Sequence, residues 1–200
     1  VLCLVTADQQ QIAAEQVAKA IFPETLYCDM NSVAPDSKKN AARLIEGAGA
    51  RYVDVAIMAP VHPARENAPL FISGPHSNEA EQVLQAAGFT NTRQVGDKIG
   101  QASSIKMIRS IMVKGIEALT AECVLAAEKA GVRDAVLESL GSDWPDKAVY
   151  NLERMQTHGL RRAAEMEEVA KTLEALGIDP VMTRGTILKQ FEMARSEEGI

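Results

Sequence analysis

Short apolar runs alternate with helical segments through the first half of this chain, and that alternation constrains the fold more than any other feature. Val1-Leu2-Cys3-Leu4-Val5 reads as a fully buried strand, which needs neighbours on both sides. Ile12, Ala13, Val17, Ala20 and Ile21 then recur at helical spacing until Pro23 stops the segment. Residues 25–29 form a second apolar run and Asn31-Ser32-Val33-Ala34-Pro35 a turn. Residues 36–46 are helical, ended by Gly47 and Gly49. Residues 52–58 and 70–73 read as further strands, 78–87 as a helix and 92–95 as a last strand. Strands alternating with helices predict right-handed βαβ crossovers and a largely parallel sheet.

Beyond Gly96 the pattern changes. Residues 99–130 contain no proline, with Gly100 and Gly115 the internal glycines, and predict one long helix. Ile105, Met107, Ile108, Ile111, Met112, Val113, Ile116, Leu119, Val124 and Leu125 surround its axis, so much of it is expected to be buried. A short helix follows Gly131, then a turn at residues 141–145. A second long helix over 147–176 carries Leu152, Met155, Ala163, Met166, Val169, Leu173 and Leu176 at helical spacing, and a final helix spans 183–195. The reading is α/β over residues 1–98 and all-α over 99–200.

Composition narrows the function classes. The hydrophobic fraction of 46% and charged fraction of 24% are globular, and the 4% of aromatics favours helix-rich packing over an all-β fold. With 21 Lys+Arg against 27 Asp+Glu, the net charge of −6 gives no general attraction to a phosphate backbone, so no nucleic-acid partner is expected. Cys3, Cys28 and Cys123 are widely spaced and odd in number, which fits reduced thiols buried as small hydrophobes in a cytoplasmic protein. No apolar run reaches the roughly 18 residues of a membrane helix, and no basic leader precedes the first strand, so neither insertion nor export is expected. The chain opens on Val rather than Met, which leaves a processed product, a fragment or part of a longer chain all open.

In α/β sheets ligands bind beyond the carboxyl ends of parallel strands, where backbone amides and helix N-termini converge. Three such ends are Thr6-Ala7-Asp8, Asn31-Ser32 and Met58-Ala59-Pro60, each of which also reads as ordinary turn or capping residues. Gly47-Ala48-Gly49 follows a helix and has Tyr52 where a third glycine belongs. It is a helix stop, so this sequence carries no recognisable pyrophosphate-binding turn, and any dinucleotide reading has to place that turn upstream of Val1. Lys106 lies near the start of the long helix with Ser103 and Ser110 three and four residues away on its face. It reads either as a desolvated general acid/base or as a lysine that snorkels to solvent or pairs with a carboxylate. Lys114 and Glu117 are expected to pair. His158, Arg161 and Arg162 cluster within one turn, as an anion clamp or, through Arg161 and Glu165, as a solvated ion pair. The three histidines have no metal-ligand spacing.

Taken together, Leu4-Val5-Thr6-Ala7, the segment from Asp29 to Pro35, Tyr52-Val53-Asp54-Val55-Ala56-Ile57 and Gly100-Gln101-Ala102-Ser103-Ser104-Ile105-Lys106 resemble the beta-hydroxyacid dehydrogenase and 6-phosphogluconate dehydrogenase superfamily, joined partway through its nucleotide domain. Nearly the whole chain is covered. Lys114-Gly115, Glu122 and the run from His158 to Met166 resemble the phosphogluconate-dehydrogenase-like subgroup whose C-terminal domain has no defined function.

The resemblance implies the C-terminal part of a Rossmann-like parallel-sheet domain in residues 1–98. A long interdomain helix then leads into an all-helical substrate and dimerisation domain in residues 99–200. It further implies NAD or NADP over Thr6, Ala7, Asn31, Ser32 and Pro35. Lys106 would transfer the proton, with Ser110 beside it, as hydride moves between the nicotinamide and a 3-hydroxyacid or phosphorylated sugar acid. Substrate contacts would come from Met58, Ala59, Pro60, Ser103, His158 and Arg162. Better-known members carry a serine and two glycines where this chain has Met58-Ala59-Pro60, an asparagine where it has Ser110, and a lysine and aspartate where it has His158-Gly159. His158 and Arg162 are the residues left to replace those anion contacts. The departures keep two alternatives in view, an imine reductase of the same fold and a non-catalytic binding or dimerisation module. The apolar helical half points to a homodimer.

Overall fold

The computed structural model describes residues 1–195. The chain divides into two compact units, Val1–Ile108 and a second beginning at Arg109. The first is built on a five-stranded sheet of β1 (Leu2–Cys3), β2 (Leu26–Asp29), β3 (Arg51–Ile57), β4 (Leu70–Ser73) and β5 (Thr92–Gly96), in that spatial order. Its helices are α1 (Gln10–Ala18), α2 (Pro35–Gly47), the single turn α3 (Val61–Ala64), α4 (Ser77–Ala86) and the start of α5 (Gln101–Lys129).

β1, β2 and β3 are parallel, as is β5 to β4, but β4 runs antiparallel to β3, so the sheet is mixed rather than parallel throughout. The reason lies between Ile57 and Leu70. A parallel return needs a crossover helix, and this stretch holds only α3, broken at His62, and a 3₁₀ turn at Arg65–Asn67. Within this chain Leu2 and Cys3 of the first apolar run pair with β2, and Cys3 is buried.

Alternation along the strands builds two cores. Tyr27 and Tyr52 are register partners with stacked rings 5.8 Å apart, and they pack with Ala14 of α1 and Ala41, Ala42 and Ile45 of α2. Cys28, Val53 and Val55 face the opposite way and join Leu70, Ile72, Ala80 and Leu84. Pro35 opens α2, where a missing N–H costs nothing, and Lys38, Ala41, Ala42 and Ile45 form its buried stripe.

The second unit holds the rest of α5 with α6 (Arg133–Leu140), α7 (Trp144–Ala175) and α8 (Val181–Arg195). The turn before α7 is shorter than the sequence suggests, because Trp144 and Pro145 form the first turn of that helix. Ala118, Ala121, Met155 and Met193 make one cluster, and Val124, Leu137 and Ala148 another. At Gly159 the chain of α8 comes so near that an added Cβ would lie 2.5 Å from the Gln190 carbonyl oxygen.

The expectation that α5 is largely buried does not hold. Ile105, Ile108, Met112, Val113, Ile116 and Leu119 are between 37% and 64% exposed. Neighbouring elements cover the side carrying Met107, Ala118, Ala121 and Val124 and leave the other side open. Cys3 and Cys28 are buried thiols, while Cys123 is half-exposed, and all three are free. No described helix is long and apolar enough to cross a membrane.

Candidate functional site

Because β1, β2 and β3 are parallel, their carboxyl ends share one edge of the sheet. Thr6 and Ala7 follow β1, with Thr6 exposed and Ala7 opening a 3₁₀ turn that runs into α1. Asn31 and Ser32 follow β2 and lead to Pro35. Met58, Ala59 and Pro60 follow β3, the first two half-buried and Pro60 exposed. Lys106, half-buried in the second turn of α5, donates from Nζ to the Ser32 hydroxyl oxygen. The structure therefore brings the lysine singled out by sequence to the second of the three strand ends.

Other residues lie differently from the sequence reading. Ser103 is buried, and its hydroxyl donates to Asp54 Oδ1 at 2.6 Å, so it ties the start of α5 to β3 rather than facing a substrate beside Lys106. The Asn31 side chain is also turned inward. Its Oδ1 accepts the Val5 N–H at 2.6 Å and its Nδ2 donates to Asp29 Oδ1 at 2.8 Å, which ties the turn after β2 to the chain leaving β1. Ser110 is buried on α5 in the second unit.

Lys114 does not pair with Glu117 on its own helix. It reaches Glu165 of α7 at 2.8 Å, while Glu117 takes Arg162. Both are cross-helix pairs, which a spacing rule within one helix does not see. Burial holds Lys114 below the ordinary lysine value, and Glu165 offsets this only in part. Arg162, 4% exposed and bonded to Glu117, is thereby removed from the proposed anion clamp. His158 is exposed, with its pKa lowered by desolvation and by Arg161 and Arg154. The Arg161–Glu165 pair expected from spacing is present at 2.7 Å.

The sequence reading assigned no role to the charges inside the first unit. Asp29, Lys38 and Asp54 are all fully buried, with Lys38 Nζ 2.8 Å from Asp29 Oδ1 and 3.4 Å from Asp54 Oδ1. Gln10 and Tyr52 each donate to Asp29 Oδ2 at 2.7 Å. Burial pushes the Asp29 carboxyl upward, but Lys38 and these donors outweigh it and hold the group below the usual carboxylate range. The visible signal was a carboxylate within each of two apolar strand runs, Asp29 and Asp54, which a buried strand tolerates only with partners.

The first unit is thus an open α/β sheet with one strand end meeting a helix-borne lysine, and the second is all-helical. Residues 127–190 match a domain family of unknown function, DUF1932. A conserved hypothetical protein of Sinorhizobium meliloti 1021 is 39% identical, with the match covering 100% of this chain and 69% of that one at a TM-score of 0.80. A second solved protein of unknown function, described as structurally similar to 3-hydroxyacid dehydrogenases, is 32% identical over 99% of this chain and 76% of its own, with a TM-score of 0.78. The chain belongs to this 3-hydroxyacid dehydrogenase-like family.

An NADH-dependent oxidoreductase of Aspergillus ustus is 26% identical over 97% of this chain and 68% of its own. An uncharacterized protein of Methanothermus fervidus is 28% identical over 82% of this chain, which spans 64% of that relative's length. A 3-hydroxyisobutyrate dehydrogenase of Salmonella typhimurium shares the fold at 17% identity and a TM-score of 0.73, over 99% of this chain and 74% of its own. So does a reductive aminase of Aspergillus terreus solved with NADPH and ethyl levulinate, at 19% identity and 0.54, over 99% and 74%.

Proposed function

We propose that the chain is the catalytic part of an NAD- or NADP-dependent dehydrogenase acting on a 3-hydroxyacid or a phosphorylated sugar acid, with Lys106 as its general acid/base. The observation that carries this reading is the hydrogen bond from Lys106 to Ser32 at the carboxyl edge of the parallel strands. The donor set along that edge fits a nicotinamide nucleotide. The Ser32 hydroxyl and the N–H groups opening the Ala7–Gln9 turn are uncharged hydrogen-bonding groups suited to ribose and amide oxygens.

A bound nicotinamide would supply the hydride acceptor. Lys106, in its neutral form, takes the proton of the substrate hydroxyl at Nζ as the adjacent carbon gives up hydride, and returns a proton to the carbonyl oxygen in the reverse direction. Ser32 fixes the direction of Nζ, so the amine meets the substrate oxygen without a rotamer search. Met58, Ala59 and Pro60 at the neighbouring strand end would shape the substrate side. Free thiols at Cys3, Cys28 and Cys123 suit a reducing, cytoplasmic setting.

Met58-Ala59-Pro60 also favours a second reading. This strand end offers no side-chain donor for a carboxylate, which suits a substrate without one, such as an imine. The experiment that separates the two follows nicotinamide absorbance in the complete gene product across a panel of 3-hydroxyacids, sugar acids and cyclic imines. Oxidation of a hydroxyacid supports the first reading and imine reduction alone the second. Tight cofactor binding or self-association with no turnover of either class would leave a binding module.

A further inference from the structure

We propose that the buried pair Lys38 and Asp54 positions Lys106 against Ser32, an inference that rests on the reading of Lys106 as the proton-transfer group. Asp29 and Asp54 are register partners on adjacent parallel strands, and both are fully buried. Two carboxylates so placed repel each other. Lys38 comes in from α2 and satisfies both, 2.8 Å from Asp29 Oδ1 and 3.4 Å from Asp54 Oδ1, while also donating to the Asp29 carbonyl oxygen at 2.7 Å.

One cation between two carboxylates leaves a negative charge over, and the structure places the N-terminus of α5 on it. Asp54 Oδ2 accepts the N–H of Gly100 at 3.1 Å and of Ser103 at 3.0 Å, where the helix dipole is positive. Ser73, opposite Asp54 on β4, adds a second tether by accepting the Ala102 N–H at 2.9 Å. Lys106 lies one turn further along this fixed helix start. On the other side, Asp29 Oδ1 accepts both the backbone N–H of Asn31 at 3.0 Å and its side-chain amide at 2.8 Å, which holds the turn carrying Ser32.

Lys38 pairs with both Asp54, which holds the helix start that delivers Lys106, and Asp29, which holds the turn that presents Ser32. A buried ion triad adds little stability over apolar packing of the same volume. What it supplies is one admissible geometry, here the meeting of two segments that are far apart in sequence.

The test is Asp54→Asn in the full chain, which keeps side-chain size and one acceptor but turns an amide donor toward Lys38 or Ser103. Lysines carrying ¹³C-dimethyl groups are followed by two-dimensional NMR, with the Lys106 resonance assigned by its loss in Lys106→Arg. The Lys106 resonance is expected to move by more than the spread among exposed lysines, with Lys129 unmoved. If Asp54→Asn does not fold, Ser103→Ala, which removes only the hydroxyl donor to Asp54, is expected to move it in the same way.

In turnover assays Asp54→Asn is expected to lower kcat by about 10- to 100-fold with KM little changed, the signature of a misplaced group. A folded Asp54→Asn protein whose Lys106 resonance coincides with the parent's overturns the proposal. Unchanged turnover in Lys106→Ala would instead overturn the catalytic reading alone, because the resonance reports the placement of the amine whatever that amine does.

Discussion

Asp29 stays charged inside the sheet because five donors converge on its two oxygens, from Gln10, Tyr52, Lys38 and, through both backbone and side chain, Asn31. Its folded pKa lies below the unfolded value of 3.8. The stabilisation from its charge is therefore complete above that value and is lost as pH falls through the lower, folded one. Unfolding free energy from denaturant titrations is expected to be level from neutrality down to about pH 5 and to fall below about pH 4. Asp29→Asn should cost about 3 kcal/mol at neutral pH by leaving Lys38 poorly compensated, and should blunt the acid limb. An acid limb of parental depth in that variant would show that another carboxylate governs it. Lys106 was singled out in sequence by the family resemblance of the Gly100–Lys106 segment, since spacing alone left a snorkelling or paired lysine equally open. Lys38 was not, since it sits on a helix whose apolar spacing reads the same with or without a buried cation, and only the register of Asp29 against Asp54 explains it.

Among the elements, α7 and α8 show where a helical glycine is needed and where it is not. A Cβ at Gly159 would lie 2.5 Å from the Gln190 carbonyl oxygen and 2.8 Å from Ala194 Cβ, whereas one at Gly185 would meet nothing within 4 Å. Gly159→Ala is expected to destabilise by about 1–3 kcal/mol, since backbone must move and the gain in helix propensity is smaller. Gly185→Ala should stabilise by about 0.5–1 kcal/mol. Thermal melts of the two variants shifting in the same direction would contradict this packing. The order of strands and helices was legible from periodicity, but the direction of β4 was not. A period of two carries no polarity, and the short α3 turn that forbids a crossover looks in sequence like any loop. The outward face of α5 was misread for a related reason, because apolar residues all round a helix show that burial is available and do not show what covers it.

For the whole molecule, that uncovered face bears on assembly. Met112, Ile116 and Leu119 are 64%, 41% and 57% exposed at successive turns of α5. We propose that a second copy covers them, because a contiguous apolar stripe is seldom left to water. Sedimentation is expected to show a dimer, and the double variant Met112→Lys with Leu119→Lys a folded monomer. A monomeric parent would remove this reading without touching the site in the first unit.

The central claim concerns the amine at Lys106. The most direct test compares Lys106→Ala with its parent in the complete gene product, following nicotinamide absorbance with the best hydroxyacid of the panel and measuring cofactor binding by fluorescence. Turnover should fall by about 10²- to 10⁴-fold while cofactor affinity stays near the parental value. Turnover equal to the parent's would show that the proton leaves by another route.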